Sequence, residues 1–136
     1  MVTKKDWITA LPRYKRGQGF FRSLTDEYCP LGILADLIVK EGSVSGLSWE
    51  KGEESYLLVS PDGTKHAYAW PTELRMLTNV SIEAYHLARY NDSDDRNNAD
   101  SAINSKDPWE KVGEWMSKPA GKGRAEAIPE FDTRSK

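Results

Sequence analysis

The feature that most constrains the fold is an apolar stretch that follows Cys29 and Pro30. Its apolar residues recur at positions i, i+3, i+4 and i+7, from Leu31 through Leu34 and Ala35 to Ile38, which is the spacing of one helical face. Proline suits a first helical turn because its missing N–H would have had no partner there, and Gly42 is typical of a helix end. The stretch is too short to cross a bilayer, which takes about 20 apolar residues. In a chain that is only 38% hydrophobic, it predicts a central helix contacted on several sides.

A β-hairpin is the second strong prediction. Two runs of residues that favour strands, 55–60 and 64–70, flank Pro61-Asp62-Gly63. Proline presets its own φ in such a turn, and glycine accepts the positive φ that closes it. The polar, glycine-containing residues 41–54 before the hairpin are interpreted as a loop.

Shorter helices are predicted on both sides of these elements. Thr3 caps the first, with Asp6 placed to complete a capping box, and Pro12 ends it. The further helices are predicted at about 72–77, at about 81–90 and from Asp107-Pro108 onward. The sequence therefore predicts an α+β fold, with four to five short helices packed on a small antiparallel sheet containing one β-hairpin. Residues 1–118 form the single predicted domain, and 119–136 a predicted flexible C-terminal tail, in which the segment 128–131 either docks or recruits a partner.

Composition and spacing give no support for catalysis, a metal or a cofactor. A single cysteine, Cys29, excludes an intrachain disulfide and a cysteine-rich zinc site. Asp92, Asp94 and Asp95 alternate as in a calcium loop, but Asn97 and Ile103 stand where that loop needs glycine and glutamate. We therefore expect no catalytic residues, no metal site and no cofactor, and a location in the cytoplasm.

The best candidate binding surface mixes basic and aromatic residues. Its members are Arg13, Tyr14, Lys15, Arg16, Phe20 and Arg22. Basic groups neutralise phosphates and aromatic rings stack on bases, which would make this segment a nucleic-acid contact. The alternative, which we favour, is that the rings fill the core under a loop while the charges remain in water. The acidic residues Asp92, Asp94 and Asp95 form a second candidate contact surface.

Three patches together resemble a family of small proteins encoded by tailed phages and prophages. They are residues 7–19, residues 28–37 around Leu31-Gly32, and the turn at 87–92 with its Asn91-Asp92 pair. The resemblance extends loosely over residues 7–116. Pro30 and Ala35 stand where the family often has cysteines. The resemblance implies a source and a size class, and no reaction.

This resemblance and the missing catalytic pattern lead to an expected function. We expect a non-catalytic phage accessory protein that binds and modulates a host macromolecule in the host cytoplasm. The favoured form is an inhibitor of a bacterial defence system, as an anti-CRISPR or other anti-defence protein, or of a metabolic system. The alternatives are a nucleic-acid-binding module that uses residues 13–22 and a binder of a small anionic nucleotide. A host protein is the expected partner, nucleic acid is a possible one, and no membrane is expected; the oligomeric state stays open.

Overall fold

A computed structural model describes residues 2–17, 20–80, 108–117 and 128–133. The elements in chain order are α1 (Lys4–Ala10), a 3₁₀ turn (Leu11–Arg13), β1 (Lys15–Arg16), β2 (Glu27–Tyr28), α2 (Pro30–Glu41), β3 (Ser48–Lys51), β4 (Tyr56–Val59), β5 (Lys65–His66), α3 (Thr72–Thr78) and α4 (Pro108–Ser117). Helices combined with small sheets confirm the predicted α+β class. The helix predicted at about 81–90 lies outside the described residues.

Helix α2 is the centre of the core, as its sequence predicts. Ile33, Leu34 and Ile38 are completely buried. The helix begins after Cys29, whose Sγ accepts a hydrogen bond from the Gly32 N–H at 3.4 Å, and it ends at Gly42 with φ of 79°. Gly32 lies against the backbone of Phe21, where an added Cβ would be 1.8 Å from the carbonyl oxygen. The close approach of α2 to this segment therefore depends on glycine at position 32.

The hairpin is present, and it forms part of a three-stranded antiparallel sheet in the order β3-β4-β5. β4 pairs with β5 around the predicted turn, in which Gly63 has φ of 87° and donates its N–H to Ser60 O at 2.9 Å. β5 ends at His66, before the predicted limit at Trp70. The interpretation of 41–54 as a loop is wrong for residues 48–51, which pair antiparallel with β4 as β3. Local composition missed this strand because its pairing depends on a partner farther along the chain.

The segment 20–28 connects this sheet to a second, smaller one. β1 and β2 pair in parallel, and bridges link Arg22 to Tyr28 and Ser23 to Ser55. The Tyr56 N–H donates to Arg22 O at 2.9 Å. Residues from the predicted binding segment therefore lie beside β4, on the side away from β3.

The flanking helices pack on this centre. α1 has the predicted capping box between Thr3 and Asp6, and its Trp7 is completely buried and donates its ring N–H to Pro30 O at 2.8 Å. α4 buries Val112 and Met116. These contacts place α1 between α2 and the C-terminal part of the chain.

Residues 128–133 are docked, which corrects the prediction of a flexible tail for this part of 119–136. Ile128 and Phe131 are buried, and the Phe131 ring lies 6.3 Å from that of Trp7. A bridge joins Thr3 to Asp132. The two apolar side chains give this segment enough buried surface to be held on α1, although its neighbours in sequence are polar.

Candidate functional site

The carboxylate of Asp36, in the middle of α2, is a buried charge with three polar contacts. Its residue is only 4% exposed. Tyr14 donates its hydroxyl to Oδ2 at 2.7 Å, the Trp49 ring N–H donates to Oδ1 at 3.0 Å, and Lys40 Nζ lies 2.9 Å from Oδ2. Three donors, one of them the positively charged Lys40 ammonium, satisfy a carboxylate that would otherwise be costly to bury. The Asp36 cluster, defined as Asp36, Tyr14, Lys40 and Trp49, therefore joins α2, β3 and the residue that precedes β1.

The phenol groups beside this carboxylate keep their protons. Burial raises the pKa of Tyr14 well above its ordinary value, and the hydrogen bond to Asp36 raises it further. Burial, with the nearby Asp36 charge, raises the pKa of Tyr28 to about 12. The Tyr28 ring packs edge-on against Tyr14 at 4.8 Å. Tyr14 is thus a stable hydrogen-bond donor, not a base.

Arg22 lies on an aromatic surface beside the Asp36 cluster. Its guanidinium carbon is 3.9 Å from the ring centre of Tyr56, 5.5 Å from that of Tyr28 and 5.6 Å from that of Trp49, which are cation–π distances. Asp26 accepts from it at 2.7 Å. Desolvation opposes the charge, but the hydrogen bond to Asp26 and the negative charge of that carboxylate outweigh it and raise the pKa of Arg22. These contacts hold the partly buried guanidinium against the three rings.

The residues of the predicted binding segment are divided between the core and the surface. Tyr14 and Arg22 make the internal contacts described above, Phe20 is half-buried, and neighbouring Phe21 is buried with its ring 6.0 Å from Trp70. Arg13 and Lys15 are exposed, and Arg16 is half-buried in β1. The segment therefore presents basic side chains outward and uses Tyr14 and Phe21 for packing.

The acidic candidates Asp92, Asp94 and Asp95 lie outside the described residues. Asp36, Lys40 and Trp49 were not singled out as site residues in the sequence, although Asp36 interrupts the most apolar stretch of the chain. That interruption is the one signal that would have indicated a buried, partnered carboxylate.

Cys29 and His66, two chemically reactive residues in the described part of the chain, make internal contacts. Cys29 is 6% exposed and caps α2, and His66 Nε2 lies 2.9 Å from Ser60 Oγ. Within the described ranges, no group of three or more His, Cys, Asp or Glu residues is arranged to hold a metal ion. The arrangement here is that of a packed domain, with its polar groups used to join elements.

A cavity of about 260 Å³ lies between α1, α4 and the docked C-terminal segment. It is lined by Lys4, Lys5, Ile8, Thr9, Ser117 and Glu130. Lys4 donates to Ile128 O at 3.0 Å and lies 3.6 Å from Glu130. Its ammonium therefore holds the C-terminal segment in place.

No helix in the described part of the chain has the length and apolar character needed to cross a membrane. Searches of protein-family models, of curated proteins and of solved structures find no match to this chain.

Proposed function

We propose that this chain is a non-catalytic accessory protein of phage origin that binds and modulates a host protein. Inhibition of a bacterial defence or metabolic system is the form that we favour. The proposal starts from the resemblance over residues 7–116. The observation that carries it further is the inward packing of Tyr14 and Phe21 in the segment 13–22.

This packing separates protein binding from binding of single-stranded nucleic acid. Stacking on bases requires accessible ring faces. The Tyr14 ring is held by its hydroxyl bond to Asp36, by Tyr28 and by the Lys40 ammonium 5.5 Å from its centre. Phe21 is 1% exposed. Releasing either ring would break core contacts, so the segment favours a partner that meets its outward charges.

Nucleic acid is the second candidate function, because Arg13 and Lys15 remain exposed. Two phosphate contacts would give a weak, sequence-independent interaction. The logarithm of its binding constant would fall against the logarithm of the salt concentration with a slope of about −2. We expect this weak binding at low salt only.

Capture of partners from a bacterial lysate with the tagged full chain, with and without nuclease, tests the proposal. We expect a protein that is retained after nuclease treatment and that rebinds the purified chain at fixed stoichiometry. The double variant Arg13→Glu/Lys15→Glu, which reverses both charges, is the matched variant for nucleic-acid binding. Both side chains are exposed, so the fold should persist. Micromolar or tighter oligonucleotide binding at physiological salt, lost in this folded variant, would overturn the proposal.

A further inference from the structure

Strand β3 forms an edge of the three-stranded sheet, and its register shows which of its backbone groups point outward. The Gly52 N–H donates to Ser55 O at 3.0 Å, so residues 52 and 55 form a hydrogen-bonded pair. Such pairs alternate along an antiparallel ladder. Glu50 with Leu57 and Ser48 with Val59 are therefore the next bonded pairs. It follows that the N–H and C=O groups of Trp49 and Lys51 point away from β4.

These outward groups are open to pairing. In the described part of the chain, the outward N–H and C=O groups of Trp49 and Lys51 make no backbone hydrogen bond to any other segment. Ser48, Glu50 and Lys51 are exposed. On the other side of β4, β5 and the Arg22 carbonyl already occupy the backbone. An exposed row of N–H and C=O groups is a template for another extended segment.

The charges along this edge indicate what kind of segment fits. The carboxylate of Glu50 is balanced by Lys65 at 2.7 Å. Lys51 makes no ion pair with any carboxylate among the described residues, including Glu53 and Glu54 in the turn that follows β3. Residues directly opposite each other in a ladder lie on one face, where opposite charges stabilise the pairing. The unbalanced charge of Lys51 therefore favours an acidic side chain opposite it.

A second copy of the chain fits this edge poorly. A two-fold pairing of β3 with itself that sets Trp49 against Lys51 places Glu50 against its own copy. A shift that pairs Lys51 with its own copy brings two cations together, and like charges directly opposite are destabilising. The remaining shift pairs Lys51 with Leu47. The Leu47 N–H already donates to Val44 O at 3.2 Å, so this donor is not available for the pairing.

We infer that the edge of β3 receives an extended segment of the partner protein, which pairs with the backbone of Trp49 and Lys51 and carries an acidic side chain opposite Lys51. This inference rests on the proposed function, because it names how a protein partner binds. The backbone bonds supply affinity, and the side chain opposite Lys51 supplies selectivity.

The test uses a synthetic six-residue peptide of alternating valine and glutamate, and a matched peptide of alternating valine and lysine. Residue-resolved amide hydrogen exchange of the full chain reports the contact. We expect the acidic peptide to slow exchange at Trp49 and Lys51, while Glu50 and Gly52, already bonded within the sheet, change little. The valine–lysine peptide should bind about tenfold more weakly, the equivalent of about 1.4 kcal/mol. No added protection at Trp49 and Lys51 with either peptide would overturn the inference, and equal protection with both would overturn its charge requirement.

Substitution separates the backbone from the charge. Lys51→Ala keeps the N–H, whereas Lys51→Pro removes it at an edge position that tolerates proline. We expect about threefold weaker peptide binding for Lys51→Ala, and a loss of at least about tenfold for Lys51→Pro. Unchanged peptide binding by a folded Lys51→Pro variant would contradict the inference. It would also be contradicted if the unmodified chain sediments as a dimer and Lys51→Pro sediments as a monomer. Lysate capture by the unmodified chain reports on the proposed function separately, since it can succeed when the β3 edge is not the contact.

Discussion

Residues 13–22 and strand β3 both combine aromatic and basic side chains, but the fold uses them differently. In the first segment Tyr14 and Arg22 are turned toward Asp36 and the aromatic surface, and Phe21 is buried against α2. In β3 the side chain of Trp49 is also turned inward, to Asp36, whereas one edge of the backbone remains open. The comparison shows that composition alone does not identify a binding surface, because the same residue types serve the core or the surface according to their neighbours.

Both regions are held on the same helix, α2. Asp36 binds one side chain from each region, Tyr14 and Trp49, and so fixes both on the same helix. In the first segment Tyr14 and Phe21 contact α2, β1 pairs with β2, and Trp109 of α4 donates its ring N–H to Tyr14 O at 2.8 Å. β3 follows a loop and, among the described residues, pairs with a strand on one side only. An inner segment should therefore be sensitive to small changes in volume or hydrogen bonding, and the edge strand should tolerate them.

The largest effect should come from Gly32→Ala. The new Cβ would lie 1.8 Å from the Phe21 carbonyl oxygen and 2.9 Å from its Cα, so α2 or the segment must shift. We expect a loss of about 2–3 kcal/mol in the free energy of unfolding, measured by chemical denaturation. Gly113→Ala in α4 is the matched control, since its nearest side-chain atoms lie at 3.7 Å and alanine should stabilise a helix by about 0.5–1 kcal/mol. Equal stability of the two variants would show that Phe21 is not seated on α2.

An intermediate effect is expected for Tyr14→Phe, which keeps the ring and removes the hydroxyl bond of 2.7 Å to Asp36. The buried carboxylate then loses one of its donors, at a cost of about 1–3 kcal/mol. Tyr68→Phe is the control, because Tyr68 is 70% exposed and should lose almost nothing. Thermal and denaturant unfolding of both variants gives the comparison. If Tyr14→Phe matches Tyr68→Phe, the segment is held by ring packing and not by Asp36.

The smallest effect should come from the edge. Lys65→Ala breaks an ion pair whose two side chains are 51% and 48% exposed, and such pairs contribute about 0–1 kcal/mol. Denaturant midpoints at low and high salt should differ little between this variant and Lys51→Ala, which breaks no ion pair among the described residues. A cost comparable to that of Tyr14→Phe would mean that charge, and not pairing with β4, holds β3 in the sheet.

Local patterns in the sequence predict the elements that depend on neighbouring residues. The apolar period and the Cys29-Pro30 start define α2, Thr3 and Asp6 cap α1, and Pro61-Asp62-Gly63 closes the hairpin. Each of these signals acts over a few residues, so it can be read without knowing the fold. The sequence also favours packed rings over exposed rings in residues 13–22, since a chain with few aliphatic residues needs its aromatic ones inside.

Other features depend on contacts between distant parts of the chain, and only the tertiary structure decides them. β3 exists because residues 48–51 meet β4 in register, and its open edge follows from the alternation of that ladder. Residues 128–133 are ordered on α1 because Phe131 reaches Trp7 and Lys4 reaches the Ile128 carbonyl, across more than a hundred positions. Asp36 looks like an interruption of an apolar helix until Tyr14 and Trp49 are placed around it. The sequence by itself determines where the helices and turns form, because their energies are local. Which charges are buried and which backbone edge stays open depends on the neighbours that folding brings together.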